Sequence, residues 1–511
     1  MKRVVILTVL LLSIGTAEGI SGDAGPSFDK EAFIASASYT TELRIGMVDC
    51  VAMALKNNSD ILLKKISPLI EQANVRTQKG RFDPVMRFDG MVEDNVDISD
   101  SPAINPSPSK TRIGTFDIGV DQKWTTGTVT SIELNNTRTT SNANRLFQSF
   151  QPAYDSEAQV VVVQPMLKGF GLTVNKADYL IAKNNKAKSD QDLIKDVIRV
   201  ITDVKKTYYN YQYTQEQYKV ARTSLTRVED LYEINKEKYA KGLASNIDVI
   251  QSEAEVARFE QALIASENVM KKAEDDLKFI TNLVDDPKLW NARIFLLDNI
   301  NYEKKEFDLV KCILTAFDCR PEYEAAKLDL KNRDISVIYN RNGTLPTLDL
   351  IGSYGLNGLA RNFEKDMGHV GGGHYPDWTA GVAVKMPFFN DEAKGKYEKA
   401  KYEKAQALIA FDRLEQRIIL EVRDAWRDVD AKYRLLLASE KSKLGEELNY
   451  AAQETRFRAG LVSTLDIVIY QERLARAQVD YVKSVIDYNT SIIELSKAQG
   501  TTLIEENIKI E

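Results

Sequence analysis

The sequence predicts an α+β protein made of two copies of one unit, in which β-strands precede long coiled-coil-like helices. Three observations predict this fold class: an apolar N-terminal leader, matching segments at fixed offsets, and a hydrophobic period that changes from two to about 3.5 residues within each copy. The 511 residues are 43% hydrophobic and 28% charged, which is enough to bury a core. The net charge of −6 argues against nucleic acid as the main partner.

The first residues, MKRVVILTVLLLSIGTAEG, combine a basic start, an apolar run and small residues at Gly15 and Ala17. This pattern predicts a secretory signal peptide over residues 1–17, because the apolar run is shorter than the about 20 residues that span a bilayer. No later segment has 18 uninterrupted apolar residues. An exported chain of this kind either is soluble outside the cytoplasm or enters a membrane as β-strands.

The three cysteines, Cys50, Cys312 and Cys319, do not form the framework of a disulfide-rich protein. Cys312 and Cys319 are too far apart to bond if their segment is helical, because seven residues of helix rise about 10 Å. We expect small buried residues, with a Cys50–Cys312 disulfide as the alternative.

Two pairs of matching segments show that the chain is duplicated. VDCVAMALKNNSD (48–60) corresponds to VKCILTAFDCRPE (310–322), and YAKGLASNIDVI (239–250) corresponds to FRAGLVSTLDIV (457–468). The offset is 262 residues for the first pair and 218 for the second. The first copy therefore contains about 40 extra residues, which lie between Pro84 and Pro165. They either extend a barrel or form a surface hairpin, and we expect the surface hairpin, because TTGT (125–128) links two strand-like runs.

Strand-like alternation of apolar and polar residues occurs in four segments, namely 115–124, 157–165, 347–355 and 378–386. Their lengths fit tilted membrane strands of about 9–11 residues, and they fit the strands of a soluble sandwich equally well. Four strands cannot close a barrel alone. If they lie in a membrane, several chains must share one barrel, because lipid does not tolerate an open sheet edge.

Long helical segments follow the strands in both copies. Residues 174–241 contain no Pro or Gly, and residues 392–459 are interrupted by Gly395 and Gly445. At 1.5 Å per residue, each segment spans roughly 100 Å and needs neighbours to cover its apolar stripe.

This order of features resembles the TolC-like outer-membrane efflux protein family over essentially the whole mature chain. The resemblance implies an α+β membrane protein: a homotrimer with a twelve-stranded β-barrel in the outer membrane and an α-helical tunnel through the periplasm. It divides the chain into a signal peptide (1–17), an N-terminal segment near an equatorial belt (18–42), a first repeat (43–283; strands about 85–165, helical hairpin 174–283), an equatorial linker (284–305), a second repeat (306–499; strands about 347–387, hairpin 392–499) and a C-terminal tail (500–511).

The two Gly-Leu-x-Ser-x-x-Asp motifs have a complete structural explanation as turns between helices. Glycine at a helix end permits the left-handed backbone that closes such a turn, and a following Ser and Asp cap the next helix. The resemblance adds a second interpretation, in which the turns are periplasmic tips that dock an adaptor protein. Under it the docking residues are Gly242, Leu243, Ser245, Gly460, Leu461 and Ser463.

Acidic residues just past the tips are candidates for the periplasmic gate. The resemblance implies that Asp466, and with it Asp248, narrows the closed tunnel, and three like charges around one axis would raise one another's pKa. The family pattern can carry a second acid where this chain has Ile469. The alternative is that Asp466 only complements the helix dipole.

Both histidines of the chain, His369 and His374, lie in GHVGGGHYPDW (368–378), which we expect to be a flexible outward-facing loop between strands. A transition-metal site normally needs three or four ligands, so we expect no metal and no cofactor here. The sequence contains no nucleophile motif and no phosphate-binding loop, which argues against an enzyme.

The leading functional hypothesis is therefore the passive exit duct of a tripartite efflux or type I secretion system. The implied partners are two further copies of the chain, a periplasmic adaptor (membrane fusion) protein, an inner-membrane pump and outer-membrane lipid. The implied location is the outer membrane of a Gram-negative type envelope, extending into the periplasm. The alternative is a periplasmic coiled-coil adaptor or structural protein without a barrel, and a metal-dependent enzyme is a distant third.

Overall fold

The structure, a computed structural model, describes residues 42–98, 108–142, 149–283 and 287–508. The predicted signal peptide and nearly all of the segment 18–42 lie outside these ranges. The described chain divides into two compact units. Of the described residues, unit 1 contains those within 42–58, 204–301 and 439–486, and unit 2 contains those within 59–203, 302–438 and 487–508. Each unit therefore combines segments of both sequence copies.

The described chain contains eight strands and twelve α-helices. In chain order they are β1 (Glu42–Ile45), α1 (Met47–Asn57), α2 (Ser59–Lys79), β2 (Val85–Asp97), β3 (Ser109–Lys123), β4 (Val129–Ser141), β5 (Ala153–Pro165), α3 (Leu172–Asn175), α4 (Ala177–Ala240), α5 (Asn246–Ile280), α6 (Pro287–Trp290), β6 (Arg293–Leu296), α7 (Leu309–Cys319), α8 (Pro321–Gly343), β7 (Thr347–Ala360), α9 (Phe363–Gly372), β8 (Pro376–Lys385), α10 (Asp391–Arg458), α11 (Thr464–Gln499) and α12 (Thr502–Glu505).

Unit 2 contains an antiparallel sheet of six strands in the order β2-β3-β4-β5-β7-β8. The TTGT segment joins β3 to β4, with the Thr128 carbonyl accepting from the Trp124 amide at 2.8 Å. Gly127 has a φ of 100°, and a Cβ there would lie 2.3 Å from the Gly169 carbonyl oxygen. The TTGT segment thus links two strands as predicted, and its turn requires glycine.

The number of strands corrects the sequence prediction, because the sheet has six strands where we predicted four. The extra residues of the first copy are not a separate surface hairpin. Strand β4, which they contribute, pairs with β3 on one side and with β5 on the other. Its sequence, VTSIELNNTRTTS, has few apolar residues, so its alternation is weak and escaped recognition.

The segment with both histidines also differs from the prediction, because residues 363–372 form helix α9 and not a loop. The Asn362 side chain caps the helix by accepting from the Lys365 amide at 3.3 Å, and Gly373 ends it with a φ of 63°. Asp366 and Val370, one turn apart, are buried. The helix therefore packs on the sheet, and glycine content alone misled the prediction.

The second long helix is continuous, whereas we expected Gly395 and Gly445 to interrupt it. Helix α10 continues through Gly395 and Gly445 without a break. A mid-helix glycine costs about 1 kcal/mol relative to alanine, which the packing of a 68-residue helix easily exceeds.

In unit 1, strands β1 and β6 pair in parallel and bring the start of the described chain to the linker that follows α6. Asp298 in this linker accepts hydrogen bonds from the Tyr208 hydroxyl at 2.7 Å and from the Met47 amide at 2.8 Å. The Tyr211 hydroxyl donates to the Ile294 carbonyl at 2.9 Å. These bonds attach the linker to helix α4.

All three cysteines are free, with Cys50 and Cys312 buried. The alternative of a Cys50–Cys312 disulfide is therefore wrong, and burial agrees with the prediction for both residues. Burial, with Asp49 and Asp298 nearby, raises the pKa of Cys50 to about 12.

We expect Cys50 to resist alkylation by iodoacetamide at pH 8 in the folded protein and to react once the chain is unfolded. The thiolate is the nucleophile, and a raised pKa keeps the thiol neutral until the pH approaches about 12. Mass spectrometry of tryptic peptides measures the labelling. Labelling of folded Cys50 at the rate of an unfolded thiol would contradict the described burial.

Among residues 42–98, 108–142, 149–283 and 287–508, every helix is either too short or too polar to serve as a membrane span.

Candidate functional sites: the helix tips and the two-faced sheet

Both glycine motifs form the predicted turns between helices, and both turns belong to unit 1. Where α4 ends, the Leu243 amide donates to the Lys238 carbonyl at 2.8 Å and the Gly242 amide donates to Tyr239 at 2.9 Å. This pair of bonds defines a Schellman helix end. Gly242 has a φ of 71°, which is the left-handed conformation that this motif needs.

The turn after α10 has the same geometry 218 residues later. The Leu461 amide donates to the Arg456 carbonyl at 2.9 Å, and the Gly460 amide donates to Phe457 at 3.0 Å. Gly460 has a φ of 72°. The duplicated sequence therefore forms a duplicated turn.

Capping boxes begin the helix that follows each turn. At the first, the Ser245 hydroxyl oxygen accepts from the Ile247 amide at 2.9 Å, and Asp248 accepts from the Ser245 amide at 2.9 Å. At the second, Asp466 accepts from the amide of Ser463 at 3.1 Å and from its hydroxyl at 2.7 Å. The predicted capping residues are thus in place at both tips.

These hydrogen bonds from Ser463 lower the pKa of Asp466 below its usual value in the single chain. The direction is opposite to the one expected from three like charges around an axis. A lowered pKa means that the cap is intact at neutral pH and is lost as the pH falls through that pKa. Capping is therefore the role of Asp466 that the described geometry shows.

Apolar side chains are exposed at both tips. Leu243 is 76% exposed and Leu461 is 69% exposed, and the equivalent residues Ile247 and Leu465 are also exposed. At the second tip Ile469 extends this series by one more turn of helix, and it too is exposed. Each tip thus carries a short apolar stripe that begins at the Gly-Leu turn.

Two hydrogen bonds fasten the start of α11 to α4 inside unit 1. The amide nitrogen of the Asn235 side chain donates to the Thr464 hydroxyl at 2.8 Å, and that of Gln471 donates to the Ser224 carbonyl at 2.5 Å. Asn235 and Gln471 are buried. No local sequence pattern indicates these residues, because their partners lie more than 200 positions away.

We expect Gly460→Ala to loosen the second tip. The space around Gly460 is open, so the cost comes from the left-handed backbone alone, about 1–2 kcal/mol. Amide hydrogen exchange of residues 455–466 should accelerate roughly 5- to 30-fold. Gly445→Ala in the middle of α10 is the matched control, because the same change favours a helix and should slow exchange locally. Equal effects of the two substitutions would contradict this account.

The sheet of unit 2 has one polar and one apolar face. Because partners in the register share a face, odd-numbered residues of all six strands lie on one side and even-numbered residues on the other. Contacts agree, since Arg87 on the odd face reaches Glu133 at 2.9 Å and Asp121 at 3.3 Å. The odd face carries ten carboxylates, namely Asp89, Glu93, Asp97, Asp117, Asp121, Glu133, Asp155, Glu157, Asp349 and Asp377, against three basic residues, Arg87, Lys123 and Lys385.

The even face presents large apolar side chains, and many of them are exposed in the single chain. They include Phe88, Val92, Phe116, Ile132, Val160, Val162, Leu350, Tyr354, Trp378, Val382 and Val384. An exposed apolar area of this extent, opposite a charged face, marks an interaction surface.

Helix α9 covers one end of the even face. Its Asp366 accepts hydrogen bonds from the Ser156 hydroxyl and, at 3.4 Å, from the Asn136 side chain. The rings of His369 and His374 lie 6.4 Å apart. No group of three or more potential metal ligands occurs in the described ranges.

The comparisons with known proteins agree with this arrangement. The profile of the outer membrane efflux protein family matches residues 126–283 and 315–501, which is more than half of the chain. TtgC of Pseudomonas putida, a probable efflux pump outer membrane protein, is 24% identical over 305 residues, which are 59% of this chain. The match spans 60% of the length of TtgC. Outer membrane protein TolC of Vibrio cholerae is 21% identical over 319 residues, 60% of this chain and 69% of that protein.

Two solved structures share the fold over most of the chain. The Campylobacter jejuni CmeC outer membrane channel superposes with a TM-score of 0.63 at 18% identity, covering 89% of this chain and 85% of that one. The open state of the Neisseria gonorrhoeae MtrE outer membrane channel gives 0.62 at 14% identity, covering 89% and 88%. The matched profile and the shared fold establish that this chain belongs to the outer membrane efflux protein family.

Proposed function

We propose that this protein is the outer-membrane exit duct of a tripartite efflux or type I secretion system. It resides in the outer membrane, extends into the periplasm and conducts substrates passively. The observation that carries the proposal is the two-faced sheet, whose apolar face suits lipid and whose charged face suits a water-filled lumen. In a periplasmic adaptor without a barrel, this apolar sheet face would be exposed to water, which is unfavourable.

The proposal requires several copies of the chain. An open sheet cannot lie in lipid with unpaired edges, so the six strands of one chain need strands from others. Three copies would form one barrel, continued by their long helices as a tunnel. Trimers are what the resemblance to the family implies, and closed cyclic assembly satisfies both edges of each sheet.

The apolar stripes at the tips form the proposed docking surface for a periplasmic adaptor. Leu243 and Leu461 are its anchors, and the Schellman turns at Gly242 and Gly460 present them at the end of each helix pair. Burying an exposed leucine contributes roughly 1.5–3 kcal/mol, so a few such contacts are enough for a specific complex. The adaptor in turn connects the duct to an inner-membrane pump.

A photo-cross-linking amino acid at position 243 or 461 tests the docking surface in cells. We expect covalent capture of a periplasmic protein with a coiled-coil hairpin, identified by mass spectrometry. The same amino acid at Val310, exposed and far from the tips in sequence, is the control. Capture of the same partners from position 310 would argue against a docking tip.

The gate is the helix start at the second tip. Opening splays the tip helices near Gly242 and Gly460, and the bond between Asn235 and Thr464 opposes this movement. Asp466 and Asp248 lie one turn into the moving helices, where their charges favour cations at the entrance. With Ile469 in place of a second acid, the closed state depends on the bonds between helices more than on a double ring of charge.

We expect Asn235→Ala to make the channel leaky. The lost hydrogen bond contributes about 0.5–1.5 kcal/mol, which raises the open fraction roughly 2- to 10-fold. Open probability in planar bilayers measures the change. Thr223→Ala on the same helix is the control, because in the described part of the chain that hydroxyl donates within its own helix, to the Lys219 carbonyl at 2.9 Å. An open probability that Asn235→Ala leaves unchanged would argue that the hydrogen bond between Asn235 and Thr464 does not hold the channel closed.

A further inference from the structure

The two edge strands of the sheet, β2 and β8, have no strand partner on their outer sides in the described ranges. All thirteen residues of β2 are exposed, and so are all residues of β8 except Gly381. Each edge therefore presents a row of free backbone donors and acceptors, which is a template for pairing with another strand. In lipid such groups must be paired.

Strand parity fits the pairing of β8 in one copy with β2 in the next. Neighbouring strands in the sheet are antiparallel and their number is even, so β2 and β8 run in opposite directions. Placing copies side by side therefore continues the antiparallel pattern without a break. This arrangement also keeps the polar faces of all copies on one side. A head-to-tail contact of this kind forms a ring when the rotation between copies closes.

All four strands of the first copy belong to the sheet, so all four would enter the closed ring. Strand β3 pairs with β2 over thirteen residues, and β4 pairs with β5 over eleven. The second copy supplies only β7 and β8 to the sheet. The strands that the second copy lacks, β3 and β4, therefore lie inside the sheet. Removing them would expose two new edges.

We propose that three copies of this chain close a single barrel of eighteen strands, six from each copy, through β2–β8 pairing. The inference rests on the trimer of the proposed function and replaces the twelve strands that four per chain would give. Because barrel diameter grows roughly linearly with strand number, the barrel is about 1.5 times as wide as a twelve-stranded one.

The charge of the polar face agrees with a wide lumen. Barrels of about eight strands are filled by side chains, whereas 16–18 strands leave an aqueous channel. Ten carboxylates per chain on this face need water around them, since packing them together without it would be costly. The outer mouth of this duct is therefore a broad, acidic, water-filled pore.

Cysteine cross-linking tests the β2–β8 contact in the full-length protein. Ala380→Cys on β8 is combined in turn with Phe88→Cys, Gly90→Cys and Val92→Cys on β2, in a chain with Cys319→Ser. We expect oxidation to give covalent trimers for at least one combination. Ala380→Cys with Ile118→Cys on the interior strand β3 is the control and should stay monomeric on a denaturing gel.

Electron cryomicroscopy of the purified protein in lipid nanodiscs counts the strands directly. Eighteen strands, with β2 beside β8 of the neighbouring copy, is the expected result. A trimer with twelve strands, or with no β2–β8 cross-link at any of the three registers, overturns the inference and leaves the proposed function standing. A chain that forms no ring in the membrane overturns both.

Discussion

Replacing Val382 by Arg is expected to abolish assembly of the protein in the outer membrane. Val382 lies on the apolar face three residues before the end of β8, opposite Leu350, and its side chain is exposed in the single chain. An arginine on the lipid face costs up to roughly 2–4 kcal/mol, and the cost is greatest at the bilayer midplane. In the proposed trimer, three copies of the substitution would act in one barrel, and their summed cost would be a large share of the about 5–15 kcal/mol that stabilises a folded domain.

Thr379→Arg is the matched control for this prediction. Thr379 lies three residues away on the same strand, on the polar face beside Asp377. The arginine there would point to water and meet opposite charges, so assembly should be normal. Sucrose-gradient fractionation and heat-modifiable migration on a gel measure both variants. Similar assembly of Val382→Arg and Thr379→Arg would show that the two faces do not separate lipid from lumen.

The double substitution Leu243→Asp with Leu461→Asp should disconnect the duct from its adaptor. Both leucines are exposed, so the folded chain loses little, whereas the complex loses two apolar anchors of roughly 1.5–3 kcal/mol each. The affinity for the adaptor should fall at least about 100-fold. Co-purification of the adaptor from cross-linked cells, and export with it, should then be lost, with the protein still assembled in the outer membrane.

Leu243→Met with Leu461→Met separates docking from folding in this experiment. Methionine keeps the apolar surface and adapts to irregular contacts, so export should be close to that of the unchanged protein. Wild-type export by the double Asp variant would mean that the leucines are not anchors. Failure of both variants to reach the membrane would assign the residues to folding instead.

The turns at the tips were predictable because their chemistry is local. Glycine at a helix end followed by Ser and Asp specifies a Schellman end and a capping box within ten residues. The motif also occurs twice, so each copy tests the other. The described turns at Gly242 and Gly460 have φ angles that differ by one degree.

The strands and the helix on the sheet were harder to predict because long-range pairing determines them. The apolar residues of strand β4 are Val129, Ile132 and Leu134. The strand is stabilised by pairing with β3 on one side and β5 on the other. Helix α9 contains three glycines and depends on Asp366 and Val370 being buried against the sheet. Neither form of stabilisation is visible in a local pattern.

The bonds between the helices of the tips had no sequence signal either. A polar residue on a charged helix, such as Asn235, is expected to be exposed, yet Asn235 is buried and donates a hydrogen bond to Thr464. Such a contact depends on which helix faces which, and the two copies differ here. The residues that distinguish one tip from the other therefore emerge only from the packed structure.

Native mass spectrometry of the protein extracted from purified outer membranes distinguishes a trimeric membrane channel from a soluble single chain. We expect the chain in the outer-membrane fraction and an extracted species with three times the mass of the chain. A monomer in the soluble periplasmic fraction would contradict the account, because a single six-stranded sheet with open edges cannot serve as a channel.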